Sequence, residues 1–142
     1  MSDVIEKTSV STALAHRIID AAEKKSAEIG VPMVIAVCDE SGVLKAFSRT
    51  DGAALLSVQI AQDKAFTAVG FGMPTDAWHD FIKDDPPLAA GAPTGIERLV
   101  VFGGGYPISE GDDVVGAIGV SGGHYSEDME VAEAALAALS QA

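Results

Sequence analysis

Cysteine, aromatic residues and basic residues are all scarce in this sequence. Cys38 is the only cysteine among 142 residues, which excludes an internal disulfide and suits a reducing compartment. Aromatic residues make up 6% of the chain, so we expect a core built mainly of Ala, Val, Ile and Leu. Nine Lys and Arg residues face 21 Asp and Glu residues, for a formal charge of −12. This balance argues against binding to nucleic acids or anionic membrane surfaces, because both require basic patches.

Long apolar segments are also missing. No stretch approaches the roughly 20 apolar residues of a membrane span, and the polar, acidic N-terminal residues do not resemble a signal peptide. We therefore predict a cytoplasmic protein. The sequence has no repeat of 20–50 residues and no low-complexity tract. A length of 142 residues predicts one domain over residues 1–142, with a single sizeable core.

The stretch from residue 99 to residue 123 carries the densest pattern. Residues 99–102 are apolar and mostly β-branched or aromatic, which is typical of a buried strand. Three glycines interrupt this run, and residues 110–113 have turn chemistry. Residues 114–120 form a second apolar run, in which two glycines leave room for another backbone or a ligand. We expect this hairpin to form part of the wall of any pocket.

The rest of the chain predicts helices and one further hairpin. In order, these are a helix capped by Thr8 or Ser9 and ending near residue 29, strands over 33–38 and 43–48, a helix over 55–69, a short helix from Thr75 or Asp76, and a final helix over 126–139. Consecutive hairpins predict an antiparallel sheet covered by helices, and therefore an α+β fold. Residues 84–95 contain three prolines and two glycines, so we expect an irregular loop that serves as a lid.

Several short motifs, taken together, cover nearly the whole chain. They are residues 36–39 with Gly42, residues 47–53, 60–68, 103–108 and 116–123, and the pair Glu127 and Asp128. In this combination the sequence resembles the GlcG/HbpS-like family, the haem-degrading family that includes the C-terminal domain of PduO. The resemblance implies a profilin-like fold with an antiparallel sheet of about five strands flanked by α-helices. It also implies assembly into dimers or larger homo-oligomers.

The resemblance further implies haem binding. In PduO-like members a histidine on the first helix has been linked to the haem iron, and His16 is the position here that could correspond. His16 lies opposite the apolar arc of its helix, so it is either a plain surface residue or a ligand. The first hypothesis is therefore a binding module that holds haem or a related tetrapyrrole in a pocket at a subunit interface, with His16 as axial ligand. The three histidines are otherwise too dispersed to form a metal motif by spacing.

Two cations stand out in so acidic a chain. Arg49 follows a predicted strand and precedes Asp51 by two residues, while Lys64 lies among apolar neighbours on a predicted helix. One interpretation is structural, with an Arg49–Asp51 salt bridge and a lysine whose ammonium reaches the surface. The other is that one or both cations bind a carboxylate, either a haem propionate or a small organic acid.

The second hypothesis is a cofactor-free lyase, isomerase or hydrolase that acts on a small carboxylated metabolite. Arg49 or Lys64 would then anchor the substrate, and His124 or Tyr106 would move protons. The backbone amides of the glycine triplet would stabilise developing negative charge. This triplet is Gly103, Gly104 and Gly105. The structural alternatives are a bulge or tight turn at the glycines and a solvated loop at His124.

Two helices predict self-association. Thr12, His16, Ile19 and Ala27 lie off the apolar arc of the first helix, and alanines surround much of the last one. Small side chains let helix backbones approach closely, and an apolar surface of this kind favours a partner. We therefore expect a homo-oligomer.

Overall fold

The protein is described by a computed structural model over residues 3–139. Within these residues the chain forms five helices and four strands. In chain order these are α1 (Thr12–Ile29), β1 (Val34–Asp39), β2 (Leu44–Arg49), α2 (Ser57–Phe71), α3 (Thr75–Ile82), α4 (Pro86–Gly95), β3 (Gly105–Glu110), β4 (Asp113–Ser121) and α5 (Tyr125–Leu139). No helix in this range is long and apolar enough to cross a membrane.

The strands form one antiparallel sheet in the order β2-β1-β4-β3. Helices flank it, so the predicted α+β class is confirmed, but the sheet has four strands rather than about five. Residues 99–102 do not form the expected strand. Val100 N donates instead to Thr67 Oγ1 at 3.0 Å, and neighbouring apolar side chains pack around Trp78. Contacts with helices, rather than strand pairing, therefore account for the apolar character of this segment.

Both edge strands of the sheet are irregular. β3 carries Pro107, which lacks a backbone N–H and is tolerated at a sheet edge. Its pairing with β4 shifts register between Ile108 and Ser109. On the other side, the pairing of β1 with β2 shifts register between Val37 and Cys38.

Helices α1 and α5 cover one face of the sheet. Lys25 Nζ on α1 lies 3.6 Å from Glu130 Oε1 on α5, so the end of α1 lies beside the beginning of α5. The two helices and this face share one buried cluster, whose members include Ile18, Ala22, Ile35, Val37, Ile118, Val120, Val131, Ala132 and Ala135. As expected from composition, this core is aliphatic. Cys38 is buried beneath α2, on the other side of the sheet.

Helix α2 packs very closely against the second face of the sheet. Its sheet-facing residues Ala61, Ala65 and Ala68 are at most 1% exposed. A Cβ added to Gly119 of β4 would overlap the carbonyl oxygen of Ala61 and lie 2.6 Å from Ala65 N. The helix backbone therefore rests directly on the strand backbone, and only glycine fits at position 119.

The first helix begins later than its sequence predicts. Thr8 and Ser9 are not its cap, because Ser11 Oγ accepts a hydrogen bond from the first turn at 3.0 Å. Val10 N donates to Val115 O at 2.9 Å, which holds the preceding residues against β4. The β1–β2 hairpin, α2, α3 and α5 lie within two residues of their predicted bounds.

Two residues of α1 test the helical periodicity. His16 is exposed, as the pattern predicts. Ile19 is only 6% exposed and belongs to the main cluster, so its expected place off the apolar arc is wrong. The packed face of α1 is wider than the predicted arc because α5 as well as the sheet packs against it.

The segment expected to be an irregular lid is the helix α4. Asp85 Oδ1 caps it by accepting from Leu88 N at 3.2 Å. Pro86 and Pro87 occupy the first turn, where a backbone N–H has no helical partner to lose. Pro93 lies near the other end. Pro86 and Pro87 therefore mark the start of a helix, and the prediction of an irregular loop is wrong.

The contact at Gly119 predicts a large cost for one added methyl group. We expect Gly119→Ala to lower the free energy of unfolding by about 3 kcal/mol or more, because two backbones would have to separate. The measurement is urea denaturation followed by circular dichroism. Gly91→Ala on α4 is the control, since its Cβ would meet nothing within 4 Å. It should stabilise the helix by up to about 1 kcal/mol. Equal stabilities for the two variants would contradict the packing described.

Candidate functional site

Lys64 lies where α2, the end of β4 and the beginning of α5 meet. Its side chain is fully buried, with 0% exposed. Its Nζ donates to Asp128 Oδ2 at 2.7 Å and to Val120 O at 2.9 Å. The centroid of the Phe102 ring lies 5.2 Å from Nζ, within the range of cation–π attraction. The ammonium does not reach the surface as one interpretation expected, and it binds acceptors within the protein.

Burial acts on both members of the Lys64–Asp128 pair. It lowers the pKa of Lys64, while the charge and hydrogen bond of Asp128 oppose that shift. It also raises the pKa of Asp128, and here Lys64 acts in the opposite direction. Each charge therefore depends on the other, and removing one would leave the second buried without its counterion.

The glycines before β3 allow this close approach. A Cβ on Gly104 would lie 2.6 Å from both Lys64 Nζ and Val120 O, and its φ of 129° disfavours other residues. A Cβ on Gly103 would overlap Met129 Sδ on α5. These two glycines thus serve close packing, a structural role that differs from the bulge or tight turn considered as the alternative from the sequence.

Gly105 carries one of the backbone amides that were expected to stabilise negative charge. Its N–H donates to Thr75 Oγ1 at 2.9 Å, at the beginning of α3. A Cβ at this position would meet the backbone carbonyl of Lys64 at 2.5 Å. This amide is therefore already paired, and it joins β3 to α3.

His124 caps α5. Its backbone N–H donates to Glu127 Oε1 at 3.0 Å, and its carbonyl accepts from Glu127 N and Asp128 N. Its Nδ1 accepts from Ser126 N at 3.2 Å. Glu127 thus supplies one half of a capping box, while the His124 ring caps the N–H of Ser126 rather than that of Glu127. The ring also stacks at 4.1 Å on Tyr125. The capping role of His124 was not predicted from the sequence, although the spacing of His124 and Glu127 indicates it.

Tyr106 lies apart from His124. Its hydroxyl donates to Glu133 Oε1 at 2.6 Å. Burial raises the pKa of Tyr106, and Glu133 raises it further. Glu133 is nine residues beyond His124, and a helix rises 1.5 Å per residue, so the two sites are roughly 13 Å apart along α5. The two alternative candidates for proton transfer, His124 and Tyr106, therefore lie at different places along α5.

Arg49 closes the loop after β2. Its Nε and Nη2 both donate to Ala53 O, at 3.1 and 2.8 Å. The expected salt bridge to Asp51 does not form among the described residues. The guanidinium is exposed at the end of the sheet, so a role in binding a carboxylate stays a prediction.

A cavity of about 400 Å³ adjoins the buried pair. It is lined by Asp76 and His79 of α3, Val101 and Phe102 of the loop before β3, and Tyr125 of α5. Sequence reasoning did not single out Asp76 and His79. Their separation of three residues on a predicted helix, which places both on one face, is the signal that could have found them.

These placements divide the predicted site residues into groups. Lys64 and the glycine triplet meet beside the cavity, and His124 stacks on one of its walls. Arg49 and His16 lie elsewhere, while Tyr106 is close enough to Asp76 of the cavity wall for that carboxylate to raise the pKa of Tyr106. Across residues 3–139, no group of three or more His, Cys, Asp or Glu side chains could hold a metal ion by itself.

The family described as "Haem degrading protein HbpS-like" matches residues 10–137. The chain therefore belongs to this family, and the resemblance inferred from the motifs is confirmed.

Particular members show how close the similarity is. An uncharacterized 15.0 kDa protein from the dhaT-dhaS intergenic region of Citrobacter freundii is 36% identical over 132 residues, 93% of each chain. The crystal structure of protein ORFY of Klebsiella pneumoniae superimposes with a TM-score of 0.92 at 31% identity, covering 100% of this chain and 98% of that one. The crystal structure of a PduOC:Heme complex gives a TM-score of 0.85 at 30% identity, covering 92% and 95%.

The buried pair predicts strong coupling between two substitutions. We expect Lys64→Met alone to lower the free energy of unfolding by about 3–5 kcal/mol, because Asp128 would keep a buried charge without its counterion. Combining it with Asp128→Asn should cost less than the sum of the two single changes, by about 1–3 kcal/mol. Urea denaturation of the four proteins gives this coupling energy.

An exposed ion pair provides the control for this cycle. Lys83 Nζ lies 3.2 Å from Asp80 Oδ1, and both side chains are largely exposed. Lys83→Met should change stability by no more than about 1 kcal/mol. Additive effects at Lys64 and Asp128 would show that the pair is not coupled as the structure indicates.

Proposed function

We propose that the protein binds haem or a related tetrapyrrole, with His16 as axial ligand. The observation that carries this proposal is the similarity to PduOC, a protein of the same fold at 30% identity whose structure is a complex with haem. The description of the family as haem-degrading supports it as well.

His16 has the chemistry that this role requires. It is exposed on α1, and its ring has no hydrogen-bond partner or ion pair within residues 3–139. Its ring nitrogens are therefore available as iron ligands. Arg17 is the next residue, and its guanidinium could pair with a propionate. Haem would supply its iron and its apolar ring, while this chain would supply the ligand nitrogen and a counter-charge.

An exposed histidine on one helix cannot enclose haem by itself. This is the argument for a pocket at a subunit interface. One helix face contacts only one side of a flat macrocycle and leaves the other side in water. A second copy of the chain would cover that side. The structure also exposes large apolar residues that favour association. Leu55 is 73% exposed, Leu56 78% and Phe71 64%.

The alanines of the last helix divide into buried and exposed ones. Ala132 and Ala135 are fully buried, in the cluster that joins α5 to α1 and the sheet. These alanines therefore serve packing within one chain. Ala137 and Ala138 of α5 are exposed. They remain as surfaces for a partner, together with the exposed face of α1 and the exposed leucines before α2.

The enzyme hypothesis has less support. His124 is engaged in capping and Tyr106 in a hydrogen bond to Glu133, so the two proton-transfer candidates have separate local roles. The ammonium of Lys64 is paired with Asp128.

Titration with hemin tests the role of His16. We expect the wild-type protein to give a saturable shift of the Soret band. His16→Ala should weaken binding at least about tenfold, a loss of 1.4 kcal/mol, because the iron loses its nitrogen ligand. Lys24→Ala, exposed on the same helix about two turns further on, is the control and should bind as the wild type does. An identical spectrum for wild type and His16→Ala would exclude His16, and the lack of any saturable shift would exclude haem.

Light scattering tests the assembly. At micromolar concentration we expect a mass of at least twice the 14.5 kDa of one chain, because exposed apolar side chains would be covered by a second copy. Replacing Leu55 and Leu56 by serine should lower the mass if they lie in the interface. A wild-type mass near that of one chain would contradict the proposal.

A further inference from the structure

The cavity of about 400 Å³ beside the buried Lys64–Asp128 pair presents one unpaired negative charge. Asp76, at the beginning of α3, lines this cavity and is exposed. Its carboxylate forms no ion pair within residues 3–139. The net charge of −12 adds to the negative field around it. A ligand that enters the cavity therefore meets an accessible carboxylate, which attracts cations and disfavours anions.

Two aromatic rings supply most of the apolar wall. Phe102 is 45% exposed and Tyr125 is 48% exposed, so both rings are accessible where they line the cavity. Val101 completes this wall. The faces of aromatic rings attract cations whose centres lie within about 6 Å of the ring centroid. The lining thus combines a free carboxylate with two rings, and both kinds of group favour positive charge.

The basic groups near the cavity leave the charge of Asp76 uncompensated. Lys64 is 0% exposed, and its Nζ is bound to Asp128 Oδ2 at 2.7 Å and to Val120 O at 2.9 Å. This pair is neutral as a whole, and its ammonium does not reach the cavity. His79 is the one basic side chain among the described residues that line the cavity, and it takes part in no ion pair within residues 3–139.

The composition of the wall selects the kind of cation. A primary ammonium is strongly hydrated and has three N–H donors, for which Asp76 and His79 are the acceptor side chains in the lining. A quaternary ammonium has no N–H donor to satisfy, and its methyl groups can contact both rings while its charge stays near the carboxylate. A volume of about 400 Å³ lies in the range of small-molecule sites. It leaves room for a short chain beyond the methylated nitrogen.

We propose that this cavity is a second binding site, for a small organic cation that carries a quaternary ammonium group on a short chain. The methylated nitrogen lies against the rings of Phe102 and Tyr125, and Asp76 supplies the counter-charge. This site is separate from the tetrapyrrole proposed at His16, which lies on α1 and does not line the cavity.

Fluorine nuclear magnetic resonance shows where the ligand binds. The chain has two tyrosines, Tyr106 and Tyr125, so incorporation of fluorotyrosine gives one signal for each, and Tyr125→Phe assigns them. The probe is choline, and measurement at about pH 8 keeps histidine side chains uncharged. We expect choline to shift the Tyr125 signal in a saturable way.

Two matched compounds test what the cavity recognises. The first is the dimethylbutanol in which a carbon atom replaces the quaternary nitrogen of choline, so that shape is kept and charge is lost. It should bind at least about fivefold more weakly, because it gains neither the cation–π attraction nor the attraction to Asp76. The second is ethanolamine, which keeps the charge and lacks the methyl groups. It should bind at least about threefold more weakly, since its hydrated ammonium contacts the rings less well.

A substitution on α3 tests the carboxylate. Asp76→Asn should weaken choline binding about threefold to fivefold, the range of one exposed ion pair, and should leave binding of the dimethylbutanol unchanged. Asp80→Asn is the control, because it removes the same charge from an exposed position of the same helix outside the cavity lining. It should bind choline as the wild type does. Both side chains are exposed, so both variants should fold.

Four results would overturn the proposal. The first is a Tyr125 signal that choline does not shift in a saturable way. The second is a dimethylbutanol that binds as tightly as choline, which would show that charge is not recognised. The third is an ethanolamine that binds as tightly, which would exclude selection of a quaternary group. The fourth is equal choline affinity for Asp76→Asn and Asp80→Asn. None of these results bears on hemin binding, which is measured separately at His16.

Discussion

The contact between α2 and β4 constrains the rest of the structure. Because Ala61 and Ala65 rest on Gly119, the helix lies too close to the sheet for larger side chains between them. This short distance also holds Lys64, which lies between these two alanines on α2, close to the end of the sheet, where it reaches past Gly104 to Asp128. One buried ion pair thus joins the two layers that cover opposite faces of the sheet. The candidate cavity is formed beside this junction.

Much of the fold follows from local sequence patterns. The β1–β2 hairpin, α2, α3 and α5 could be placed within two residues, because their apolar periodicity and turn residues act locally. Residues 99–102 could not be placed in this way. Their composition fits a strand, yet Val100 bonds to Thr67, 33 positions earlier. The helix α4 was not predicted because prolines usually interrupt helices. Pro86 and Pro87, however, lie in its first turn, where no helical hydrogen bond is lost.

The candidate site was less predictable, because its contacts join residues far apart in sequence. The exposure of His16 follows from helical periodicity alone. The partner of Lys64 does not, since Asp128 lies 64 positions away. The capping role of His124 depends on a spacing of three residues and was within reach. The cavity of about 400 Å³ is lined by residues of α3, the loop before β3 and α5, which no local sequence pattern brings together.

The irregular edges of the sheet bear on how copies of the chain can meet. Strands that end a sheet offer unpaired backbone groups and are the usual templates for intermolecular strand addition and fibril growth. Here β3 carries Pro107 and a register shift, and β2 carries Lys45 and Arg49 beside a shift of its own. The proline removes a backbone hydrogen-bond donor, and the basic side chains repel the same strand of a second copy. The register shifts prevent regular pairing with an added strand. The sheet is thereby protected from edge-to-edge aggregation.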